Sequence, residues 1–563
     1  MVGSEESGEI YDPMDGLGME EKGGSVGEAE KQKELKYPTS IYFIMGNEFC
    51  ERFSFYGMRA VLVLYLHQFL LLDENTAVSR MHLFTAGAYV TTLLGAFISD
   101  SYLGRYRTIL YISLVYVLGS AVMSVTAIPG VMGDPPAGWG AGLGLGLIAV
   151  GTGGIKPCVS SFVGDQIAPG QEALLASVFS LFYFFINSGS TLSTFLTPLF
   201  REYMGFAVAF GVPAILLAAA VLIFFLGRHH YRIVPPGPNV LLSFWRVVST
   251  AFVEWWPRRQ SFRDWAAVTY QSSWIGQRIR AWRGYPPFKA PGTHFLDFAL
   301  YRCDPRLVSD VKATLAAFSV FIPMPIYWSI YDQSSSRWIF QASHMDLCLF
   351  GSNENGYCLG GVGVQPDQVS ILNPILVLLL IPLFNRYFYP WLERLVGPLH
   401  PLNHKMIWGM ILNAVAIVLA AILAAFVEAS PGGVSIYWQI PQWVVLSAGE
   451  VMVSITGLEF SFAAAPPSMK SLVMAGWLLT VAIGNLLVAT VAESNLFTNL
   501  SLQMVSFAIT MLLFVAIFKY VVADFEYVIH VDDTPAPDPA SDPDHPSSLR
   551  PHQDPLSIEM DEM

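Results

Sequence analysis

Gly46-Asn47-Glu48-Phe49-Cys50-Glu51-Arg52-Phe53-Ser54-Phe55-Tyr56-Gly57-Met58-Arg59 lies inside an apolar run over residues 41–71. That run exceeds the roughly 20 residues a helix needs to cross a bilayer. At about 100° per residue, positions 48, 51, 52, 55, 56 and 59 share one helical face. The face reads Glu, Glu, Arg, Phe, Tyr, Arg. An ionised side chain at mid-membrane costs about 2.5–3.5 kcal/mol on insertion scales. The stripe must therefore face protein or a water-filled cavity. Glu48 and Arg52, four apart in the favourable order, suit an ion pair, and a structural network holding helices together accounts for that pair alone. The further charges and the tyrosine tilt the reading toward function. Burial and a neighbouring arginine act on a carboxylate in opposite senses, a balance that a proton-coupled step can exploit.

The same apolar pattern recurs outward from this stretch. Apolar residues make up 53% of the chain and charged residues 13%, against about 25% charged in a soluble domain. Twelve runs of spanning length lie near 41–71, 79–99, 107–128, 140–164, 174–200, 205–226, 311–332, 369–391, 405–427, 437–464, 471–493 and 500–523. Residues 1–38 and 526–563 read as acidic tails without order, the second rich in proline. The net charge of −13 belongs mostly to them and argues against nucleic acid as a partner. The first 38 residues lack the apolar stretch of a signal peptide.

Lys and Arg near span ends set the orientation. Arg105 and Arg107 follow the second run, and Arg394 and Lys405 flank the loop after the eighth. The middle segment holds Arg228, Arg232, Arg246, Arg258, Arg259, Arg263, Arg278, Arg280, Arg283 and Lys289, while the opposite loops hold little beyond Arg80 and Arg201. Both termini and the middle segment are therefore expected on the cytoplasmic side. The architecture reads as a six-helix bundle at 39–227, a basic linker at 228–309 and a second six-helix bundle at 310–525. In the linker Trp245, Trp255, Trp256, Trp265, Trp274 and Trp282 alternate with arginines, a mixture suited to helices lying at the headgroup level. Two similar halves suit a transporter with a site at the midplane.

Five cysteines show no zinc spacing, so no metal site is expected. Cys348 and Cys358 fall in the outward loop after the seventh run, on the oxidising side, and are expected to pair; two unpaired loop cysteines are the alternative. Isolated polar groups recur within the runs. They are Lys156 in the fourth, Asn187 in the fifth, Asn373 and Asn385 in the eighth, and Glu450 and Glu459 in the tenth. Arg52 and Lys156 could hold a carboxylate, and Glu450 an ammonium. Snorkelling is the plainer account of Lys156 if it lies near a span end, and Glu459, near a cytoplasmic helix end, reads as a structural charge. Gly140-Ala141-Gly142-Leu143-Gly144 follows no strand, so helix packing through Gly138, Gly142 and Gly146, four apart, explains it better than a nucleotide loop.

The opening stretch resembles the ExxER motif of the proton-coupled oligopeptide transporters, a family of the major facilitator superfamily. Gly95-Ala96-Phe97-Ile98-Ser99-Asp100-Ser101-Tyr102-Leu103-Gly104-Arg105-Tyr106-Arg107 resembles that superfamily's loop signature. Phe182-Tyr183-Phe184-Phe185-Ile186-Asn187-Ser188-Gly189-Ser190 resembles the peptide-transporter signature of the fifth span. Matches continue through Tyr327-Trp328-Ser329-Ile330-Tyr331-Asp332-Gln333 and Gly449-Glu450-Val451 to Ala475-Gly476-Trp477-Leu478-Leu479-Thr480. The resemblance covers about residues 38–525 and is nearest to the animal transporters of intestine and kidney type. It implies an all-α membrane protein of the major facilitator fold, with twelve transmembrane helices in two six-helix halves.

The resemblance also implies roles. Arg52 and Lys156 meet a peptide carboxylate, and Glu450 meets its amino terminus. Asn187 and Asn373 contact the peptide backbone or terminus. Tyr56, Tyr89, Tyr183, Trp328, Tyr331 and Trp477 form side-chain pockets. Glu48, Glu51 and His82 carry protons. The implied activity is that of a secondary active transporter, not an enzyme: import of di- and tripeptides and peptide-like drugs with protons, and no cofactor. A monomer in the plasma membrane is expected, with lysosomal or other endomembranes as alternatives. A transporter of histidine, nitrate or another small solute could use the same fold. A peptide sensor without useful flux is a reading of another class.

Three departures from the family pattern stand out. Phe55 replaces the tyrosine usual before Tyr56. Ala316 and Asn385 occupy the positions of an arginine–aspartate pair, both partners being absent together. The loop from Glu428 to Tyr437 is short where the animal proteins carry a large extracellular domain.

Overall fold

The structure is a computed structural model that describes residues 37–167, 172–236, 240–258, 295–350, 352–354, 357–359, 361–397, 399–497 and 499–523. The acidic tails up to residue 36 and from 524, and linker residues 259–294 with Trp265, Trp274 and Trp282, lie outside the described residues.

Apolar segments in lipid must satisfy their own backbone groups, so runs of this kind become helices. The first are α1 (Thr39–Leu64), α2 (Glu74–Ile98), α3 (Gly104–Thr126), α4 (Trp139–Asp165), α5 (Glu172–Met204) and α6 (Phe206–Leu226). In the linker lies α7 (Val240–Arg258). Then come α8 (Pro305–Phe321), α9 (Met324–Tyr331), α10 (Arg337–Ser343), α11 (Leu372–Leu383) and α12 (Tyr389–Val396). The last are α13 (Ile407–Ala429), α14 (Ile440–Glu450), α15 (Thr456–Ala463), α16 (Lys470–Glu493) and α17 (Leu500–Val522). A short hairpin, β1 (Ser352–Glu354) with β2 (Tyr357–Leu359), is antiparallel.

Eight helical stretches among the described residues are long and apolar enough to cross a membrane, and a bent pair, Pro305–Phe321 with Met324–Ser343 at 46°, makes a ninth. One of the eight, Glu74–Thr126, is 53 residues long and covers two of the twelve runs. Trp139, Tyr203, Trp408 and Trp438 are exposed near helix ends, where amphipathic rings favour the membrane–water interface. The chain is a multi-pass membrane protein.

Contacts divide the chain into two compact units, Met1–Val61 with Tyr102–Pro236, and Leu62–Ser101 with Gly237–Met563. The second run, grouped by sequence with the first six, packs inside the second unit, where α2 lies along α16. Asp73 caps α2 by accepting from the Thr76 amide at 3.0 Å. The Thr76 hydrogen bonds hold the Asp73 carboxyl below the ordinary carboxylate range.

In the first unit α3 packs along α4 and α6. Glycine makes this approach possible. A Cβ on Gly151 would lie 2.4 Å from Tyr116 Cβ, and one on Gly144 would lie 2.7 Å from Met123 Cγ. The sequence reading gave this role to Gly138, Gly142 and Gly146, yet a Cβ there meets nothing within 4 Å. The packed ridge is Gly140, Gly144 and Gly151, which meets successive turns of α3. The other three glycines turn away from it. Gly151→Ala is expected to destabilise the protein by about 1–3 kcal/mol through overpacking, read as a lower melting temperature, whereas Gly142→Ala leaves it unchanged.

In the second unit α13 packs along α17 and α14, α9 along α16, and α11 along α14. Val247 and Ala251 of α7 join Leu296 and Ala299 of the turn Phe295–Tyr301 and Val308 and Val311 of α8 in one core. Trp245 is 63% exposed, but Trp255 is 7% exposed, with its ring edgewise to Phe295 at 6.0 Å. Trp255 is therefore a core residue and not a headgroup anchor, because it falls on the face of α7 that Ala251 and Val247 also bury.

Cys348 and Cys358 are joined by a disulfide. The loop they brace is tied to the short segment after α13. The Asp346 amide donates to Val434 O at 2.8 Å and Ile436 N donates to Asp346 O at 2.9 Å.

Candidate functional site

The charged stripe of α1 is buried. Glu48 and Glu51 are each 1% exposed and Arg52 6%. Arg52 Nε lies 2.7 Å from Glu48 Oε1 and 2.9 Å from Glu51 Oε2. The Thr152 hydroxyl of α4 donates to Glu51 Oε1 at 2.9 Å. One helical turn later on the same face of α4 comes Lys156, within electrostatic reach of Arg52, Tyr56, Glu51 and Arg59. The cluster thus sets three cations against two acids, and Glu48 Oε2 accepts no hydrogen bond from a described residue. The excess of positive charge suits a carboxylate or phosphate ligand. Tyr56 is half-buried, edgewise to the buried Phe55 at 5.5 Å. Asn187 is nearly buried and spends its Nδ2 on Tyr183 O at 2.8 Å, while Tyr183 itself is exposed.

The second unit gathers a different set. Asn373 Nδ2 of α11 donates to Glu450 Oε2 at 2.7 Å and to Ser447 Oγ at 3.2 Å, both on α14. Tyr331 OH donates to Asn373 Oδ1 at 3.3 Å. The Trp328 ring stands edgewise to Tyr331 at 5.6 Å and to Trp477 at 5.8 Å. Tyr89 packs against the same core. A carboxylate ringed by aromatic faces suits an ammonium.

His82 lies elsewhere in this unit. It is 1% exposed. Its Nδ1 is 2.7 Å from Asn485 Oδ1, and its Nε2 is 2.8 Å from Ser336 Oγ. Asn485 Nδ2 in turn donates to Asp332 Oδ2 at 2.6 Å. Because an amide oxygen only accepts, neutral His82 carries its proton on Nδ1 and accepts a hydrogen bond from the Ser336 hydroxyl at Nε2. The histidine therefore reaches a buried carboxylate, Asp332, through Asn485. Sequence reasoning quoted Asp332 within a motif but gave it no role, and it missed Asn485 and Ser336. An acid inside an apolar run was the available signal for Asp332; the two neutral side chains offered none. Ala316 and Asn385 are both exposed.

Residues 106–504 match the PTR2 family model, described as the POT family. The chain belongs to the POT family. Among its relatives is "Peptide transporter family 1" of Drosophila melanogaster, 31% identical over 697 aligned residues, with 88% of each chain covered. "Solute carrier family 15 member 2" of Homo sapiens is 38% identical over 433 residues, covering 75% of this POT family chain and 54% of the human one. The chain thus spans about half the length of that human relative. Among solved structures, a crystal structure of the POT family transporter PepTSo superimposes with a TM-score of 0.70 at 30% identity, covering 87% of this chain and 98% of that one. An auto-inhibited POT family peptide transporter gives 0.71 at 30% identity, covering 88% and 98%. This POT family chain shares their helical, major facilitator type of fold.

Proposed function

We propose that the protein is a proton-coupled symporter that imports di- and tripeptides, and peptide-like drugs, by alternating access. The observation that carries this reading is a cationic cluster in one unit and a carboxylate among aromatic rings in the other. Arg52 and Lys156 offer cations to a carboxyl end, and Glu450, oriented by Asn373, offers a carboxylate to an amino end. Asn187, Tyr56, Tyr89, Tyr183, Trp328, Tyr331 and Trp477 serve the peptide's backbone and side chains. Reading ends and backbone while leaving side chains to roomy aromatic pockets makes such a site promiscuous. The names of the fly relative and of the solved transporters support peptides as cargo.

Protons act at Glu48, Glu51 and His82. A proton on Glu48 or Glu51 would loosen its bond to Arg52 and free the guanidinium for the peptide carboxylate. A second proton on His82 would turn Nε2 into a donor and reverse its bond with Ser336, whose hydroxyl would then donate to Gln333 O. The inward potential contributes, since one charge moved through 100 mV is worth about 2.3 kcal/mol. Twelve spans with both termini cytoplasmic, a monomer, and residence in the plasma membrane complete the reading.

Counterflow of a labelled dipeptide into proteoliposomes tests the cargo. Excess unlabelled dipeptide or tripeptide is expected to compete; free histidine, nitrate and N-acetylated dipeptide are not. Competition by histidine or nitrate, with none by dipeptide, contradicts the proposal and favours a small-solute transporter. Saturable dipeptide binding without any counterflow would mark a sensor instead.

A further inference from the structure

Just past α11, on the side turned away from Glu450, stands a cation to which the proposed transport cycle gives no role. Asn373, Val377, Leu380 and Phe384, spaced four, three and four, turn toward α14. Asn373 bonds Glu450 and Ser447, and the other three pack with Val451 and Met452. The opposite stripe holds Ile375, Leu379 and Leu383, all exposed. The helical stretch Gln368–Leu395 is long and apolar enough to span a membrane, and an exposed apolar stripe on it suits contact with lipid tails.

Arg386 continues this stripe, three residues past Leu383, in the π-turn Phe384–Phe388 between α11 and α12. It is exposed and forms no ion pair with any described residue. Its guanidinium lies 5.9 Å from the Tyr387 ring centre. About 21 Å of helix rise separates it from Leu372 and about 15 Å from Val396, so it sits within one leaflet, below the bilayer centre. On a lipid-facing side, a guanidinium there is stabilised by snorkelling toward the headgroup level. The residues toward Val396 fit that level. Tyr387 is 62% and Trp391 55% exposed, Arg394 is exposed, and Lys405 Nζ stands 4.6 Å above the Tyr389 ring. Glu393 and Glu459 are the acids nearby, which leaves the cations in excess.

We propose that Arg386 and Arg394 bind the phosphate of an anionic phospholipid, with Tyr387 and Trp391 flanking it at the interface. Arginine suits this task because its planar fork meets phosphate through two parallel hydrogen bonds. The adjacent Asn385 fits as well. The aspartate expected there from the family resemblance would set a negative charge beside the phosphate, and asparagine does not. The leaflet is the cytoplasmic one only in the topology proposed above; the lipid contact itself does not depend on that topology.

The test uses the purified full chain in detergent micelles, titrated with phosphatidylserine or phosphatidylcholine and followed by native mass spectrometry. The wild type is expected to bind phosphatidylserine in preference. Arg386→Ala and Arg394→Ala each weaken that binding about fivefold, Arg386→Lys weakens it less, and Asn385→Asp also weakens it. Dipeptide counterflow by Arg386→Ala remains measurable, so loss of lipid binding is read separately from loss of transport. Equal binding of both lipids by the wild type would overturn the proposal. So would phosphatidylserine binding that is unchanged in Arg386→Ala, in Arg386→Lys and in Asn385→Asp. A wild type that binds phosphatidylserine but moves no dipeptide would contradict the proposed function and leave the lipid site standing.

Discussion

Arg52→Ala abolishes dipeptide uptake, by at least about 100-fold, and lowers the yield of folded protein. Arg52 Nε donates to Glu48 Oε1 at 2.7 Å and stands in ion-pair contact with Glu51 Oε2 at 2.9 Å. Removing one partner of a buried ion pair costs about 3–5 kcal/mol, because the remaining charge is left without compensation. Here two acids are left, at 1% exposure each. The stability loss and the transport loss separate in a second variant. Glu48→Gln combined with Arg52→Ala removes one stranded charge, so its melting temperature recovers toward the wild type while its uptake does not. If the double variant regains uptake, Arg52 serves the fold and not the peptide. Arg52→Lys is expected to fold but to transport poorly, since an ammonium cannot present two donors in one plane to two carboxylates and a ligand.

Glu450→Gln raises the dipeptide concentration for half-maximal uptake by about 10- to 150-fold, the equivalent of a charge-assisted hydrogen bond of about 1.5–3 kcal/mol. The fold is expected to hold, because glutamine keeps an oxygen for the Asn373 amide that now donates at 2.7 Å. The sharper readout is selectivity. In the wild type an N-acetylated dipeptide is expected not to compete with the free one, since it cannot offer an ammonium. In Glu450→Gln the two are expected to compete alike. A variant that keeps the full preference for a free amino end would place the recognition of that end elsewhere.

The α1 stripe is legible in the sequence because charge in an apolar run has few physical excuses. The Glu48–Arg52 spacing gives the observed ion pair directly, and the isolated Asn373 and Glu450 meet as their rarity suggests. Elsewhere the sequence was silent or misleading for definable reasons. Gly138, Gly142 and Gly146 have the spacing of a packing ridge, but only the neighbouring helix decides which glycine ridge is covered, and α3 covers Gly140, Gly144 and Gly151. Trp255 looks like the exposed Trp245 in composition, and its burial beside Phe295 of the turn Phe295–Tyr301 is a tertiary contact that composition does not mark. The Asn485 bridge between His82 and Asp332 joins residues hundreds of positions apart through a neutral amide that no charge or hydropathy pattern marks. The lipid-facing Arg386 is visible in sequence as a charge, but its face is fixed only once Asn373 is seen to bond Glu450.

The central claim, peptide import driven by protons, is tested by uptake of a labelled dipeptide into proteoliposomes with imposed gradients. An acidic exterior and a negative interior are each expected to accelerate uptake and to raise the accumulated peptide above equilibrium, and collapsing both with an ionophore returns it to equilibration. Uptake at the same rate and to the same level with and without either gradient would contradict the account.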